Sequence, residues 1–294
     1  MVTISRKPRR IRKIKSTYLW IATVFFALYG FTLIYPFIWM LINSFKNNGQ
    51  YLDNSFGFPP STWRFDNYVT AFTQFKVQGS SATFIQMILN SVLFSFLGAV
   101  ISLVFSSMTA YVCAKFKFKF LKVIFTIGII TMILPIVGSL PAQYKLVSSL
   151  GFKNNILGIA LLYGSPFGFN FIVLYGAFKS ISWEYAEAAQ MDGCGNFRIY
   201  LQIMMPMIAP ILKSLFIIQF IGVWNDYMTP LLYLKKTPTI SYGIYMYEQT
   251  MQYTGANYPI YFAGIIMALV PIIVLFSVFQ KTLMENTVAG GLKG

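Results

Sequence analysis

Five stretches of this sequence contain no charged residue: Ser16 to Phe45, Val77 to Ala114, Val123 to Tyr144, Asn154 to Phe178, and Gln249 to Gln280. Crossing the hydrocarbon core of a bilayer takes about 20 mostly apolar residues in a helix, and each run is long enough. Soluble domains typically carry about a quarter of their residues as charges, whereas here the share is 11% and the charges are clustered. A sixth run, Ile199 to Leu234, contains Lys213 and Asp226 near its two ends. A lysine there can snorkel to the interface, and Asp226 sits beside Trp224 and Tyr227, an aromatic pairing that suits a membrane–water boundary. The expected fold is therefore all-α, a polytopic membrane protein with six transmembrane helices. Basic residues followed by an apolar run also describe a signal peptide. The first run is too long for that and lacks a small-residue cleavage site, so it reads as a retained helix.

Charge sets the expected orientation. Arg6, Lys7, Arg9, Arg10, Arg12, Lys13 and Lys15 precede the first run, and Lys115, Lys117, Lys119 and Lys122 fill the link between the second and third, both without an acid. Positive flanks face the cytoplasm. Both termini are then cytoplasmic, and the long loop Lys46 to Gly79 is external. The chain divides into a basic tail (1–17), a transmembrane domain (18–284) with a cytoplasmic loop at 180–206, and a C-terminal tail (285–294). The basic tail suits anionic membrane lipid; its place directly before a membrane span argues against nucleic acid.

That cytoplasmic loop breaks the charge rule. "EYAEAAQMDGCGNFRIYLQIMMP" holds Glu184, Glu187 and Asp192 against one Arg198, in a chain with only 8 acidic residues. Ser182 is placed to cap a helix and Glu184 to sit at its positive end. Gly193 is placed for a left-handed C-terminal cap, and Asn196 for the cap of a second helix. Ala188 and Ala189 make a thin face that another surface can approach. The expectation is a compact acidic docking element of two short helices.

Glu187-Ala188-Ala189, then Gly193, then Ile203-x-Met205-Pro206 resembles the EAA-x3-G-x9-I-x-L-P motif of ABC-importer permeases, departing only at Met205, a volume-conserving change. Asp192 before the glycine also fits. "WNDYMTPLLYL" from Trp224, "LPAQYKLVSSLGFKNNILGIAL" from Leu140 and the ending "VAGGLKG" resemble carbohydrate-importing, maltose-type halves with six spans, so the resemblance covers nearly the whole chain. It implies the type I importer permease fold in a bacterial-type inner membrane. It also implies three partners: a second permease subunit, a pair of ATP-binding subunits and an extracytoplasmic solute-binding protein. In such proteins the loop couples to the ATPase, so the resemblance assigns coupling to Glu184, Glu187, Ala188, Ala189, Asp192, Gly193, Ile203 and Pro206. It also assigns an ATPase contact to a C-terminal tail with Gly290, Gly291 and Lys293, glycines that suit extended backbone.

Other chemistry is excluded by absence. There is no phosphate-cradling G-x-x-x-x-G-K-[ST] and no histidine, and Cys113 and Cys194 lack metal-site spacing and read as reduced, structural thiols. The expectation is a chain that is no enzyme and holds no cofactor, with ATP hydrolysis supplied by a partner. Polar residues inside spans usually face a cavity, so Asn90, Ser91, Asn170, Gln219 and Asn225 are candidates for the substrate path, with Phe167, Phe169 and Trp224 as rings to stack on a sugar. The alternative solutes are amino acids, polyamines or phosphate. The alternative class, a secondary carrier or channel, would want inverted repeats or a buried proton relay, and Asp226 is the only plausible membrane acid.

Overall fold

The structure, a computed structural model, describes residues 16–59, 62–133, 138–255 and 257–291. Among the described residues there is no strand. The helices in chain order are α1 (Ser16–Ser44), α2 (Asn48–Asp53), α3 (Asp66–Gln74), α4 (Phe84–Lys115), α5 (Lys119–Ile133), α6 (Ser139–Ser149) and α7 (Ile156–Ala160). A 3-10 turn (Leu161–Tyr163) leads to α8 (Phe169–Ser180), α9 (Glu184–Met191) and α10 (Asn196–Ile199). A π-helical turn (Tyr200–Met204) then leads to α11 (Met205–Met207), α12 (Ala209–Asn225), α13 (Met228–Tyr233), α14 (Ile240–Thr254) and α15 (Tyr258–Gly291).

The central element is α4. Its start is fixed by a reciprocal cap in which Gln86 N–H donates to Thr83 Oγ1 (3.3 Å) and Thr83 N–H to Gln86 Oε1 (2.8 Å). Its 32 residues reach about 48 Å at 1.5 Å per residue, more than a hydrocarbon core. Ser91, Ser95, Gly98, Ser102 and Ser106 recur every three or four residues and are all buried. This small-residue stripe lets α8 and α12 pack closely against α4. A Cβ at Gly98 would lie 3.1 Å from Tyr163 and 3.2 Å from Val223.

Three apolar clusters follow α4 along its length. Phe84 and Met87 at its start pack with Phe75, Tyr242 and Ala263. Phe94 packs with Val147, Ile159, Val223 and Tyr233. At the far end Ala110 and Tyr111 pack with Phe178, Ala186, Ala189, Ile199, Tyr200 and Met204. The loop element α9 therefore sits at one end of the bundle, with α3 and α14 at the other.

Among the described residues three helices, Tyr18–Ser44, Phe84–Lys115 and Tyr258–Lys281, are long and apolar enough to cross a membrane. Asn196–Met207 and Ala209–Asn225, bent by 81°, add a fourth if counted as one span. The third and fourth charge-free runs form shorter pieces. The run from Val123 divides between α5 and α6. The run from Asn154 breaks at Gly164, Pro166 and Gly168, whose φ of 151° is glycine territory. The 81° bend has a local cause as well. It falls at Ile208: Pro210, in the first turn of α12, has no N–H to bond the Pro206 carbonyl and its ring crowds that carbonyl, while one turn earlier Met205 N–H bonds Tyr200 O, five residues back.

Candidate coupling loop and polar cavity

The loop is ordered by backbone geometry first. Gly193 has φ 79°. Its N–H bonds Gln190 O (2.9 Å), and Cys194 N–H bonds Ala189 O (2.9 Å). These two bonds together form a Schellman motif, which satisfies carbonyls at the end of α9 and turns the chain sharply. At the helix start, Ser182 Oγ accepts from Glu184 N–H at 3.3 Å. Asn196 is not the cap of the second helix: Gly195 occupies the cap position and no side chain caps it. The carboxamide of Asn196 instead accepts from Gln190 Nε2 across the bend at 3.4 Å.

Packing then decides which face of α9 is free. Ala186 and Ala189 are buried, 0% and 7% exposed, against the end of α4. The thin alanine face expected for docking therefore belongs in part to the protein's own core: Ala189 is inward, and only Ala188 of the pair is exposed. Below the loop, Tyr200 OH and Ser107 Oγ are 2.7 Å apart. Lys115 Nζ donates to Ile181 O, and the Phe116 and Trp183 rings lie 6.0 Å apart. A rigid seat thus holds the helix from beneath.

Glu184, Glu187, Ala188, Asp192, Gly193 and Pro206 are exposed, while Ile203 is half-buried. The single loop cation does not neutralise the acids, because Arg198 Nε donates along its own helix to Gln202 Oε1 (2.8 Å). The ion pair seen among the described residues, Arg64–Asp66, lies elsewhere. Beside the acids stand large exposed apolar side chains that the sequence reading had not assigned to the site: Tyr185, Met191 (89% exposed) and Phe197. Their signal in the sequence is a bulky apolar residue among charged neighbours in a short helix. The exposed face of the loop is thus acidic and apolar together.

Of the substrate-path candidates, the structure brings four together: Asn170, Gln219, Phe167 and Phe169. Asn170 Nδ2 donates to Ser102 Oγ (3.2 Å) and to Gln219 Oε1 (3.1 Å). These groups, with Tyr163, Phe167 and Phe169, line a cavity of about 300 Å³ between α4, α8 and α12. The others stand apart. Asn90 Nδ2 bonds Pro238 O (3.0 Å), tying α4 to the segment before α14, and Ser91 Oγ accepts from Ile240 N–H (2.7 Å). Trp224 is buried beside Phe220. Asn225 is exposed at the end of α12. Asp226 accepts from Tyr163 OH, Thr229 Oγ1 and Thr229 N–H. These three bonds tie the end of α12 to Tyr163 and to the start of α13.

The C-terminal tail differs from its expected form. The backbone of Gly290 and Gly291 continues α15 as helix, where extended chain was expected. Extending an existing helix costs far less than starting one, enough to carry it through residues of poor propensity. Lys293 and residues 1–15 of the basic tail lie outside the described residues, while Ser16 and Thr17 begin α1.

The bundle built on α4, with α9 seated on its end, belongs to a known family of membrane transport proteins. The chain belongs to the binding-protein-dependent transport system inner membrane component family, whose profile matches residues 102–284. It is 32% identical to the probable ABC transporter permease protein YurM of Bacillus subtilis, over 100% of this chain and 94% of that protein. It is 29% identical to the arabinooligosaccharides transport system permease protein AraQ of Halalkalibacterium halodurans (96% and 99% covered). It is 27% identical to the diacetylchitobiose uptake system permease protein NgcG of Streptomyces coelicolor (90% and 85% covered). In fold it is similar to a chain of a bacterial ABC transporter involved in the import of the acidic polysaccharide alginate, with TM-score 0.73, 22% identity and coverage of 92% and 98%.

Proposed function

We propose that this chain is one six-span permease half of an ATP-driven importer for an oligosaccharide handed over by an extracytoplasmic binding protein. The observation that carries the coupling role is α9: a short helix seated on the bundle, with Glu184, Glu187, Tyr185 and Met191 left facing outward. Such a face suits insertion into a cleft with basic and apolar walls on an ATP-binding subunit. Sugar as the solute is supported by relatives that carry arabinooligosaccharides and diacetylchitobiose. The cavity around Asn170 and Gln219 supplies amide and hydroxyl groups beside aromatic rings, the mixture that sugar hydroxyls and sugar faces require. In this reading both termini are cytoplasmic, α5 and the broken segment through α8 complete the six spans, and a second permease half covers the exposed side of α1. The C-terminal segment, Gly290 and Gly291 at the end of α15 together with Lys293, contacts the ATPase pair.

Reconstitution tests this directly. Proteoliposomes with the chain, its second permease half and its ATPase pair should take up a labelled oligosaccharide when ATP and the loaded binding protein are supplied. Uptake of an amino acid, a polyamine or phosphate in place of sugar would overturn the solute class. Uptake without ATP would overturn the coupling.

A further inference from the structure

The junction of α4 and α5 carries a feature outside both the coupling loop and the polar cavity. "KFKFKFLK", Lys115 to Lys122, alternates lysine with phenylalanine. Lys115 is committed to the Ile181 carbonyl. Lys117, Lys119 and Lys122 are exposed and line a concavity of about 580 Å³ that contains no acid. Phe116, Phe118 and Phe125 form its apolar walls. Lys119 and Lys122 also stand in the first turn of α5, the positive end of the helix dipole, where a cation is unfavourable and an anion is favoured. Positive-inside topology explains lysines near this point but not a lysine-lined hollow with aromatic walls.

We infer that this hollow binds one anionic phospholipid, with its phosphodiester headgroup among Lys117, Lys119 and Lys122 and its acyl chains along the phenylalanines. Charge complementarity selects the occupant: three cations without an acid at a membrane interface need a phosphate, and basic pockets between spans at the cytoplasmic side are where anionic headgroups lodge. The aromatic walls select a lipid over free phosphate. The site adjoins the loop seat, since Phe116 contacts both Tyr111 and Trp183, so an occupied pocket braces α9 from one side. The inference rests on the reading that the α9 end is cytoplasmic.

Native mass spectrometry of the full chain, released from detergent with phosphatidylglycerol or phosphatidylcholine, tests it. This readout does not depend on sidedness, so its failure is distinct from a failure of the import reading. The unmodified chain should retain phosphatidylglycerol over phosphatidylcholine. Lys117→Gln/Lys119→Gln/Lys122→Gln should lower that retention on the order of tenfold or more, while Lys145→Gln/Lys235→Gln/Lys236→Gln, with the same loss of charge, should not. Equal loss in both triple variants would reduce the effect to net charge and overturn the site, as would unchanged retention in the first. Displacement by millimolar inorganic phosphate, with no preference for either lipid, would make it a phosphate site and not a lipid one. Protection of these lysines from amine labelling by the ATPase subunits alone, in lipid-free assemblies, would make it a protein interface and sink the proposal.

Discussion

Gly193 is the residue on which the loop turns, and its surroundings separate two effects of a side chain. A Cβ there meets nothing within 4 Å, so the only obstacle is φ 79°. Asn adopts that region far more readily than β-branched residues. Gly193→Asn should therefore keep most of the ATP hydrolysis stimulated by the loaded binding protein, whereas Gly193→Val should lose most of it with membrane insertion intact. Equal activity in the two would show that the turn does not matter. The carboxamides in the cavity make a second residue-scale case. Gln219→Leu removes one hydrogen-bonding group from the cavity proposed as the path for sugar hydroxyls, and a hydrogen bond is worth about 0.5–1.5 kcal/mol net. The KM for oligosaccharide uptake should rise several-fold without loss of assembly; unchanged kinetics would take the cavity off the path.

Helices meet here through missing side chains as much as through present ones. A Cβ at Gly264 on α15 would lie 2.2 Å from the Phe75 ring. Phe75 cannot yield easily, because it is fully buried, stacked on Tyr247 at 4.2 Å and edge-on to Phe84 at 5.9 Å. Gly264→Ala should destabilise the chain by about 1–3 kcal/mol, as overpacking does, read as a lower melting temperature in detergent. Gly222→Ala on α12, where a Cβ meets nothing, should be neutral or slightly stabilising in the isolated chain. A fall of the same size in both would mean that something other than the Phe75 contact governs this packing. The sequence makes the long helices legible because α1, α4 as far as Ala114 and α15 as far as Gln280 are uninterrupted by charge, and it makes the Gly193 cap legible because few residues tolerate its φ. It does not make the breaks inside the third and fourth runs legible, since hydropathy is blind to backbone geometry. Nor does it reveal that Ala189 faces inward: two adjacent alanines look alike until the helix is docked on Phe178 and Tyr200.

At the scale of the whole molecule, one end holds α9 on its seat and the other holds α2, α3 and α14, with α4 running between them. The side of α1 is exposed along nearly its whole length, a surface that only lipid or another membrane subunit can cover without cost. The pairing of Asn170 with Gln219 belongs to this scale too. They are 49 residues apart, and no pattern in the sequence links them; only the approach of α8 to α12 over the small-residue stripe of α4 does so.

The central claim is that α9 is the point where an ATP-binding subunit takes hold. Single-cysteine chains, with Cys113 and Cys194 replaced by serine, test it in the assembled transporter through a thiol cross-linker to the ATPase subunit. A cysteine at Ala188, exposed on α9, should cross-link, and one at Tyr253, 86% exposed on α14 at the opposite end, should not. Cross-linking at Tyr253 and none at Ala188 would contradict the account.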